Sequence, residues 1–519
     1  MQMTLAPETL QRTSPLQTAT IHLIALAAVA GFSIWLAYIG FLASDDQSYS
    51  LAAIGWLHHF PYVGINHWEL RHTVVFPIAL SFWLGGINET SIMLPTLIYL
   101  LLLMALTYGC LVRLVEPGQA VLASALIALT PVFALNVSTA SDDITECFFV
   151  AASFWAFYSG SIGTPNRAML FLSGMCAGLG FITRETSILL ALFYGALFLR
   201  GWRVPRSYYL LIGAGFFMVL AIDTLYLAIM TGDVLYRIHI SARAVADDNP
   251  FGAEFAPEYS VQNGFDKAGQ IAAPRVLRPV LMLFTAHEIF PLFFFVIPAA
   301  VWLWNNRGRH ESQFEVARLS GLLGLTWFVA LSWVLLMVWV IPRYHMVTVY
   351  GALLVVALWL QAPRRQRRSL VPIAVLCAGS LMMIYLDNKS LMFGERALVA
   401  IARGSGEPIY TDPATLRGTR FLLEHTAPGH TVVAGMAPAG GLFFYNPLPG
   451  RRELDRASLG KFKPSSTWTL LRTIVEDRKL SAHILHSSGF EALLPVGVVG
   501  KLDPSPHVVY LYRLPVRDQ

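Results

Sequence analysis

The chain has 519 residues, of which 55% are hydrophobic and only 13% charged, with a mean hydropathy of +0.56. A soluble globular domain carries about 25% charged residues, so this composition excludes that class and indicates a membrane protein. The formal net charge of +5 needs no nucleic acid to explain it, because Lys and Arg concentrate in the cytoplasmic loops of membrane proteins.

The first twenty residues are polar, carry Arg12 and lead into an apolar run that no small-residue cleavage site follows. Residues 21–42 are therefore expected to stay as a first transmembrane helix rather than leave as a signal peptide. Further apolar runs at 91–112, 120–136, 144–159, 168–182, 186–199, 207–230, 279–304, 319–341, 345–361 and 369–386 give about eleven crossings of a roughly 30 Å hydrocarbon layer. The runs at 120–136 and 168–182 are short for a full span and are expected to be tilted or broken. With Arg12 cytoplasmic, the loops placed inside hold Arg113, then Arg167, then Arg200, Arg203 and Arg206, then Arg307, Arg309 and Arg318, and last Arg364, Arg365, Arg367 and Arg368. Every one of these loops obeys the positive-inside rule.

The same count puts three segments outside: loop 44–86, loop 231–278, and everything after Asp387. Within the first, Thr73 to Gly86 is apolar but too short to span and reads as an interfacial helix. After Asp387 the composition turns to Gly, Pro and charge. Short apolar runs at Thr431–Ala434, His483–Leu485 and Val508–Tyr512 alternate there with helix-like stretches. The expected architecture is thus a polytopic α-helical membrane domain over 1–386 and a small soluble α/β domain over 387–519.

Four cysteines, Cys110, Cys147, Cys176 and Cys377, all lie in or beside apolar runs, which argues against disulfides and thiolate metal sites. His58 and His59 invite a metal reading, but adjacent side chains diverge on a helix. No internal repeat, Walker A or dinucleotide-binding glycine pattern is present. An inverted-repeat or nucleotide-driven transporter therefore lacks its usual signature.

Polar chemistry gathers on the outer face. Ala43-Ser-Asp-Asp-Gln-Ser-Tyr49 follows the first helix and sets Asp45 and Asp46 at the membrane boundary, either as a helix-capping pair or as a base that takes a proton from an attacking hydroxyl. Ser141-Asp-Asp-Ile-Thr-Glu146 places Asp142 and Asp143 at the next outer helix start, where they could cap the helix, hold a divalent cation or orient a substrate. Gly178 to Ser187 interrupts more than thirty apolar residues with Arg184 and Glu185, marking an outer turn whose charges pair with each other or face a cavity. Ile341-Pro-Arg-Tyr-His345 brings Arg343, Tyr344 and His345 to the same face, as phosphate donors or as an interfacial anchor. Arg71 and His72, closing the first outer loop, carry the same two readings.

These motifs, in this order and on one face, resemble the polytopic GT-C glycosyltransferases over most of residues 21–386, in the branch of the protein O-mannosyltransferases and the lipid A aminoarabinose transferase. Asp45-Asp-Gln-Ser-Tyr49 resembles the family's Asp-Glu-Ala-x-Tyr motif, with Asp46 in place of the usual Glu. Gly178 to Arg184 resembles its Gly-Leu-Ala-x-Leu-Thr-Arg segment, and Arg343-Tyr344 its late Arg-Tyr pair. Where the family often has His-Pro-Pro, this chain has Asn66-His-Trp-Glu-Leu-Arg-His72.

The resemblance implies an inverting hexosyl- or pentosyltransferase in the inner membrane, with its site facing the periplasm. Its donor would be a polyprenyl-phosphate sugar and its acceptor a glycan, lipid or protein. Asp45 would be the general base, with Asp46 beside it. Arg71, His72, Arg184, Arg343, Tyr344 and His345 would face the donor phosphate, and Asp142, Asp143 and Glu185 would orient substrate or a cation. No cofactor is required, although related oligosaccharyltransferases use a divalent cation. The rival readings are a transporter or lipid flippase and a non-catalytic assembly protein.

Overall fold

The computed structural model describes residues 15–246, 276–334, 341–360, 370–387, 392–447, 462–477 and 506–515, with 489 and 492. Arg12, the Arg364–Arg368 cluster, the His483–Leu485 run and most of the second outer loop lie outside the described residues.

The chain is a helical membrane domain followed by a small mixed sheet. In order the first helices are α1 (Pro15–Ala37), α2 (Asp45–His58), α3 (His72–Gly85), α4 (Glu89–Leu111), α5 (Pro117–Leu129), α6 (Pro131–Asn136), α7 (Asp142–Ser161), α8 (Arg167–Thr183), α9 (Leu190–Arg200), α10 (Tyr209–Thr231) and α11 (Tyr236–Ala246). There follow α12 (Arg278–Thr285), α13 (Leu292–Asn305), α14 (Ser312–Val329), α15 (Met346–Leu360) and α16 (Leu370–Asp387). Helix occupies all or part of each of the eleven expected runs. Among the described residues, five helical stretches are long and apolar enough to cross a membrane by length and composition: 17–37, 89–111, 206–231, 312–334 and 342–360.

The run at 120–136 is broken, as its length suggested. Thr130 takes an extended backbone and Pro131, with no N–H to give, opens a new helix. Asn88, Ser141 and Asn166 cap the N-termini of α4, α7 and α8 by accepting from the backbone N–H three residues on. Because Ser141 caps α7, Asp142 and Asp143 are released for other contacts. The segment expected to lie at the interface is α3: it buries Val74, Val75, Ile78 and Phe82 and exposes Leu80, Trp83 and Leu84.

Apolar residues gain little by leaving lipid for protein, so packing and internal hydrogen bonds hold the bundle. α15 lies at its centre and is buried along its length. There Tyr350 meets the Trp155 indole at 2.7 Å and the Thr107 hydroxyl at 2.9 Å. A second polar knot joins Tyr194 to Ser153 at 2.6 Å and to Ser173 at 2.8 Å. α8 and α10 cross backbone to backbone, because a methyl group on Gly174 would collide with the Ile212 carbonyl and one on Gly215 with the Phe171 carbonyl.

The C-terminal part begins with α17 (Phe393–Gly404) and continues through β1 (Ile409–Thr411), α18 (Pro413–Thr426), β2 (Val432–Ala434), β3 (Leu442–Tyr445), β4 (Thr469–Val475) and β5 (Val508–Arg513). The sheet order is β2-β1-β3-β5-β4, with β1 parallel to β2 and β3, and β5 antiparallel to β3 and β4. The apolar runs at 431–434 and 508–512 are the strands β2 and β5. This part shares one apolar core with the first outer loop region, in which Phe41, Val75 and Phe82 pack with Leu398, Phe421 and Phe444.

Gly174→Leu is expected to force α8 from α10 and cost about 1–3 kcal/mol. Gly213→Ala, whose added methyl group would meet nothing within 4 Å, should not lower stability. Thermal unfolding of both variants in detergent checks the pair.

Candidate active site

Five separate stretches of chain bring their charges to one place. Arg71, at the start of α3, donates to Asp142 Oδ2 at 2.5 Å and to the Tyr49 hydroxyl. Arg184, at the end of α8, pairs with Asp143 Oδ1 and stands 3.8 Å from Asp142 Oδ2. Arg343 Nη2 lies 3.4 Å from Asp45 Oδ2, and its Nε 3.6 Å from Asp143 Oδ2. Tyr344 lies flat beneath Arg184, whose guanidinium carbon sits 4.0 Å from the ring centroid. Three guanidinium groups thus face three carboxylates at the N-terminus of α7, whose backbone dipole adds to the positive side.

Exposure divides the cluster. The side chains of Asp142, Asp143, Arg71 and Arg184 are at most 10% exposed, whereas Asp45 is 30% and Arg343 38% exposed. Asp45 is therefore the carboxylate a substrate can reach. Nε of Arg71 and Nε of Arg343 are buried without a hydrogen-bond acceptor among the described residues, and so are Nδ1 of His67 and Nδ1 of His345. Buried donors without acceptors are costly, and an anion entering beside Arg71 and Arg343 would satisfy the two Nε–H groups.

The two aspartates of the first motif do different work. Asp46 turns back to accept from the backbone N–H of Leu42 at 2.5 Å, Ser44 at 2.7 Å and Gln47 at 3.0 Å. Burial pushes its carboxyl up to about 6, against the pull of those three N–H groups. Asp46 thus folds the turn that presents Asp45. Burial also pushes the Tyr49 phenol well up, so it stays protonated beside Arg71.

His72 is likewise placed away from the cluster. Its Nδ1 lies 2.9 Å from Asp223 Oδ1, and Asp223 is held by Arg237 at 2.8 and 3.0 Å. The Arg237 guanidinium also donates to the Leu70 carbonyl at 2.8 Å, one residue before Arg71. Tyr226 and Tyr236 donate to the carbonyls of Tyr62 and Gly64, so α10 and α11 clamp the first outer loop at three points. Inside that loop Glu69 accepts from Tyr62, Ile65 and Asn66.

His345 is buried with its ring 5.7 Å from Phe328 and within electrostatic reach of Arg184. Glu185 begins a short 3₁₀ turn within electrostatic reach of Arg71 and His67. Asp142 and Asp143 are already matched by Arg71 and Arg184, so the divalent cation allowed for above would have to displace a guanidinium to bind them. As they stand, these residues do not fit a cation site.

Sequence reasoning gave no role to His67, Glu146, Asp223 or Arg237. Burial and Arg71 push the His67 imidazole down to about 4, so it is neutral while standing in the field of Asp45, Asp142 and Glu185. Glu146 is buried and accepts from Thr186 at 2.5 Å and Ser187 at 2.9 Å, which ties the turn bearing Arg184 to α7. Asp223 carried a signal in the sequence, a lone charge within an otherwise apolar span.

Residues 73–226 match the family model described as dolichyl-phosphate-mannose-protein mannosyltransferase. Among solved structures, ArnT from Cupriavidus metallidurans bound to undecaprenyl phosphate superposes with a TM-score of 0.53 at 12% identity, over 82% of this chain and 93% of that one. The Archaeoglobus fulgidus oligosaccharyltransferase in its apo form gives 0.52 at 11% identity, over 95% and 88%. No curated protein matches the chain in sequence. The protein has the GT-C fold. The family match takes in Asp142, Asp143, Arg184 and Asp223, while Asp45, Arg71 and Arg343 lie beyond its ends.

Asp46→Asn is expected to lose about 1–3 kcal/mol, because an amide cannot accept from all three N–H groups that the carboxylate holds. Asp45→Asn should unfold at the wild-type temperature. Scanning fluorimetry of the two variants in detergent separates them.

Proposed function

We propose that this protein is a membrane glycosyltransferase that moves a sugar from a polyprenyl-phosphate carrier to an acceptor hydroxyl on a glycan, lipid or protein. The observation that carries this reading is the half-open cluster: a reachable carboxylate, Asp45, set against three guanidinium groups of which two hold buried donors without acceptors. That pairing suits a reaction in which a proton is removed at one end and a phosphate departs at the other. The family match is to mannosyltransferases described as using dolichyl phosphate mannose, and ArnT holds undecaprenyl phosphate in the structure that shares this fold. Both support a donor of that class.

In the proposed step the acceptor oxygen attacks the anomeric carbon while Asp45 takes the hydroxyl proton. The bond from that carbon to the phosphate oxygen breaks on the opposite side, with inversion, and its electron pair leaves on the phosphate. Arg71, Arg184 and Arg343 stabilise the charge that develops there, and Arg forms bidentate contacts to phosphate that Lys cannot. Arg343 spans both ends, because it touches Asp45 as well as Asp143, and it can swing from the carboxylate to the phosphate. Tyr344 keeps Arg184 flat against its ring. The positive-inside count supports a site on the periplasmic face of an inner-membrane protein, with residues 387–519 as an extracytoplasmic domain.

Asp45→Asn is expected to lower turnover of a purified polyprenyl-phosphate sugar by about 10²–10⁴-fold with the protein folded, since the amide cannot take the proton. Full activity in this variant would remove Asp45 from the mechanism. A wild type that moves such lipids across liposomes without consuming the sugar would favour a flippase instead.

A further inference from the structure

The turn that carries Asp45 has little to hold it by itself. Between the end of α1 at Ala37 and the start of α2 at Asp45 the backbone is irregular, and it takes positive φ at Gly40 (75°) and at Ala43 (52°). A left-handed alanine is strained and persists only where its surroundings impose it.

Those surroundings come largely from the other end of the chain. Arg396, on α17, donates through Nη2 to the Ile39 carbonyl at 2.7 Å and to the Phe41 carbonyl at 3.4 Å. Its Nε pairs with Glu89 Oε1 at 3.0 Å, at the start of α4, and its guanidinium carbon lies 5.9 Å from the Tyr38 ring centroid. Gly40 sits directly under it, so that even a methyl group there would collide with Arg396 Nη2. Beside this contact Phe41, 2% exposed, stacks on Phe421 of α18 with ring centroids 5.2 Å apart. From the membrane side, Ser138 accepts from the Ile39 N–H at 2.9 Å.

We propose that the C-terminal domain is a working part of the active site, in which Arg396 is a positioning residue that straps the Ile39–Phe41 backbone and thereby fixes where Asp45 stands. The inference rests on the proposed function for what Asp45 does, but not for where it is held. One guanidinium bonds two carbonyls of the turn and one carboxylate of the bundle, so it fixes the turn against α4. Asp46 then closes the remaining half by accepting from Leu42 and Ser44. Asp45 follows at the first residue of α2, between Ser44 and Gln47, whose N–H groups Asp46 holds. A displacement of about 1 Å at a reacting group can cost on the order of 10²-fold in rate, so a turn of this kind repays being held at both ends. The arginines facing the phosphate stand on other elements and keep their carboxylates Asp142 and Asp143 on α7, so the strap reaches them only through Asp45 and Tyr49.

The test uses the full chain with Arg396→Ala, Arg396→Lys and Gly40→Ala. Hydrogen exchange is followed over residues 39–47 and over 69–73, the segment bearing Arg71, and donor binding is measured separately from turnover. In Arg396→Ala, exchange over 39–47 should quicken about tenfold or more while 69–73 is unchanged. Turnover should fall about 10- to 100-fold with donor affinity within about twofold of wild type. Gly40→Ala should behave in the same way by pushing the guanidinium aside, and Arg396→Lys should recover part of the loss. Unchanged exchange and turnover in Arg396→Ala and Gly40→Ala would overturn the proposal. So would faster exchange at 69–73 to the same degree, with donor binding lost in step, because that is the signature of a domain that has merely come loose. If the wild type consumes no carrier-linked sugar, the functional reading fails, and the exchange measurements still decide the strap.

Discussion

Carboxylates at the rim of a membrane domain can stay ionised only where positive charge meets them. Asp142 and Asp143 are more than nine-tenths buried, and in such a setting an ion pair that loses one member leaves a charge costing about 3–5 kcal/mol. Arg71 and Arg184 are therefore required by the fold as much as by any chemistry. That requirement organises what surrounds them: α3 must start where it delivers Arg71, α8 must stop at Thr183 to free Arg184, and Ser141 must cap α7 so that its first two side chains can turn to the arginines. The third pair, Arg343 with Asp45, is longer and more open to water. Such an exposed pair contributes little to stability, about 0–1 kcal/mol, and so it is the one that can be exchanged for a substrate.

The supports of this centre come from different parts of the chain. Three hydrogen bonds from α10 and α11 clamp the first outer loop, and the Asp223–Arg237 pair reaches the carbonyl just before Arg71. Glu146 ties the turn bearing Arg184 to α7, and the C-terminal helices hold the turn before Asp45. Each charged group is thus fixed by neighbours whose own side chains are committed, the condition under which preorganised electrostatics are effective.

Much of this was legible in the sequence because lipid is a demanding solvent. Long apolar runs, the alternation of arginine-bearing loops and the rarity of charge inside the spans located the helices and collected the polar motifs on one face. Asp45, Arg71, Asp142, Asp143, Arg184, Arg343 and Tyr344 do meet. What the sequence hid was contact between distant segments. Asp45 and Asp46 are identical side chains in adjacent positions, and only the path of the chain from Phe41 decides that one faces the site and the other faces its own backbone. His72 follows Arg71 directly, yet on a helix start the two diverge, and His72 meets Asp223 from 151 residues away. Arg396 carries no mark in the sequence, because two of its partners are backbone carbonyls, which have no sequence signal, and its carboxylate partner Glu89 lies 307 residues away.

The centre is most directly tested by locating a bound phosphate. A structure of the full chain with a short-chain polyprenyl phosphate is expected to show the phosphate among Arg71, Arg184 and Arg343, within hydrogen-bond distance of at least two of them. The Arg343 guanidinium should have moved off Asp45, and the prenyl chain should leave toward the membrane past α3. A phosphate bound elsewhere, with the three arginines still locked to their carboxylates, would contradict the assignment of this cluster as the donor site.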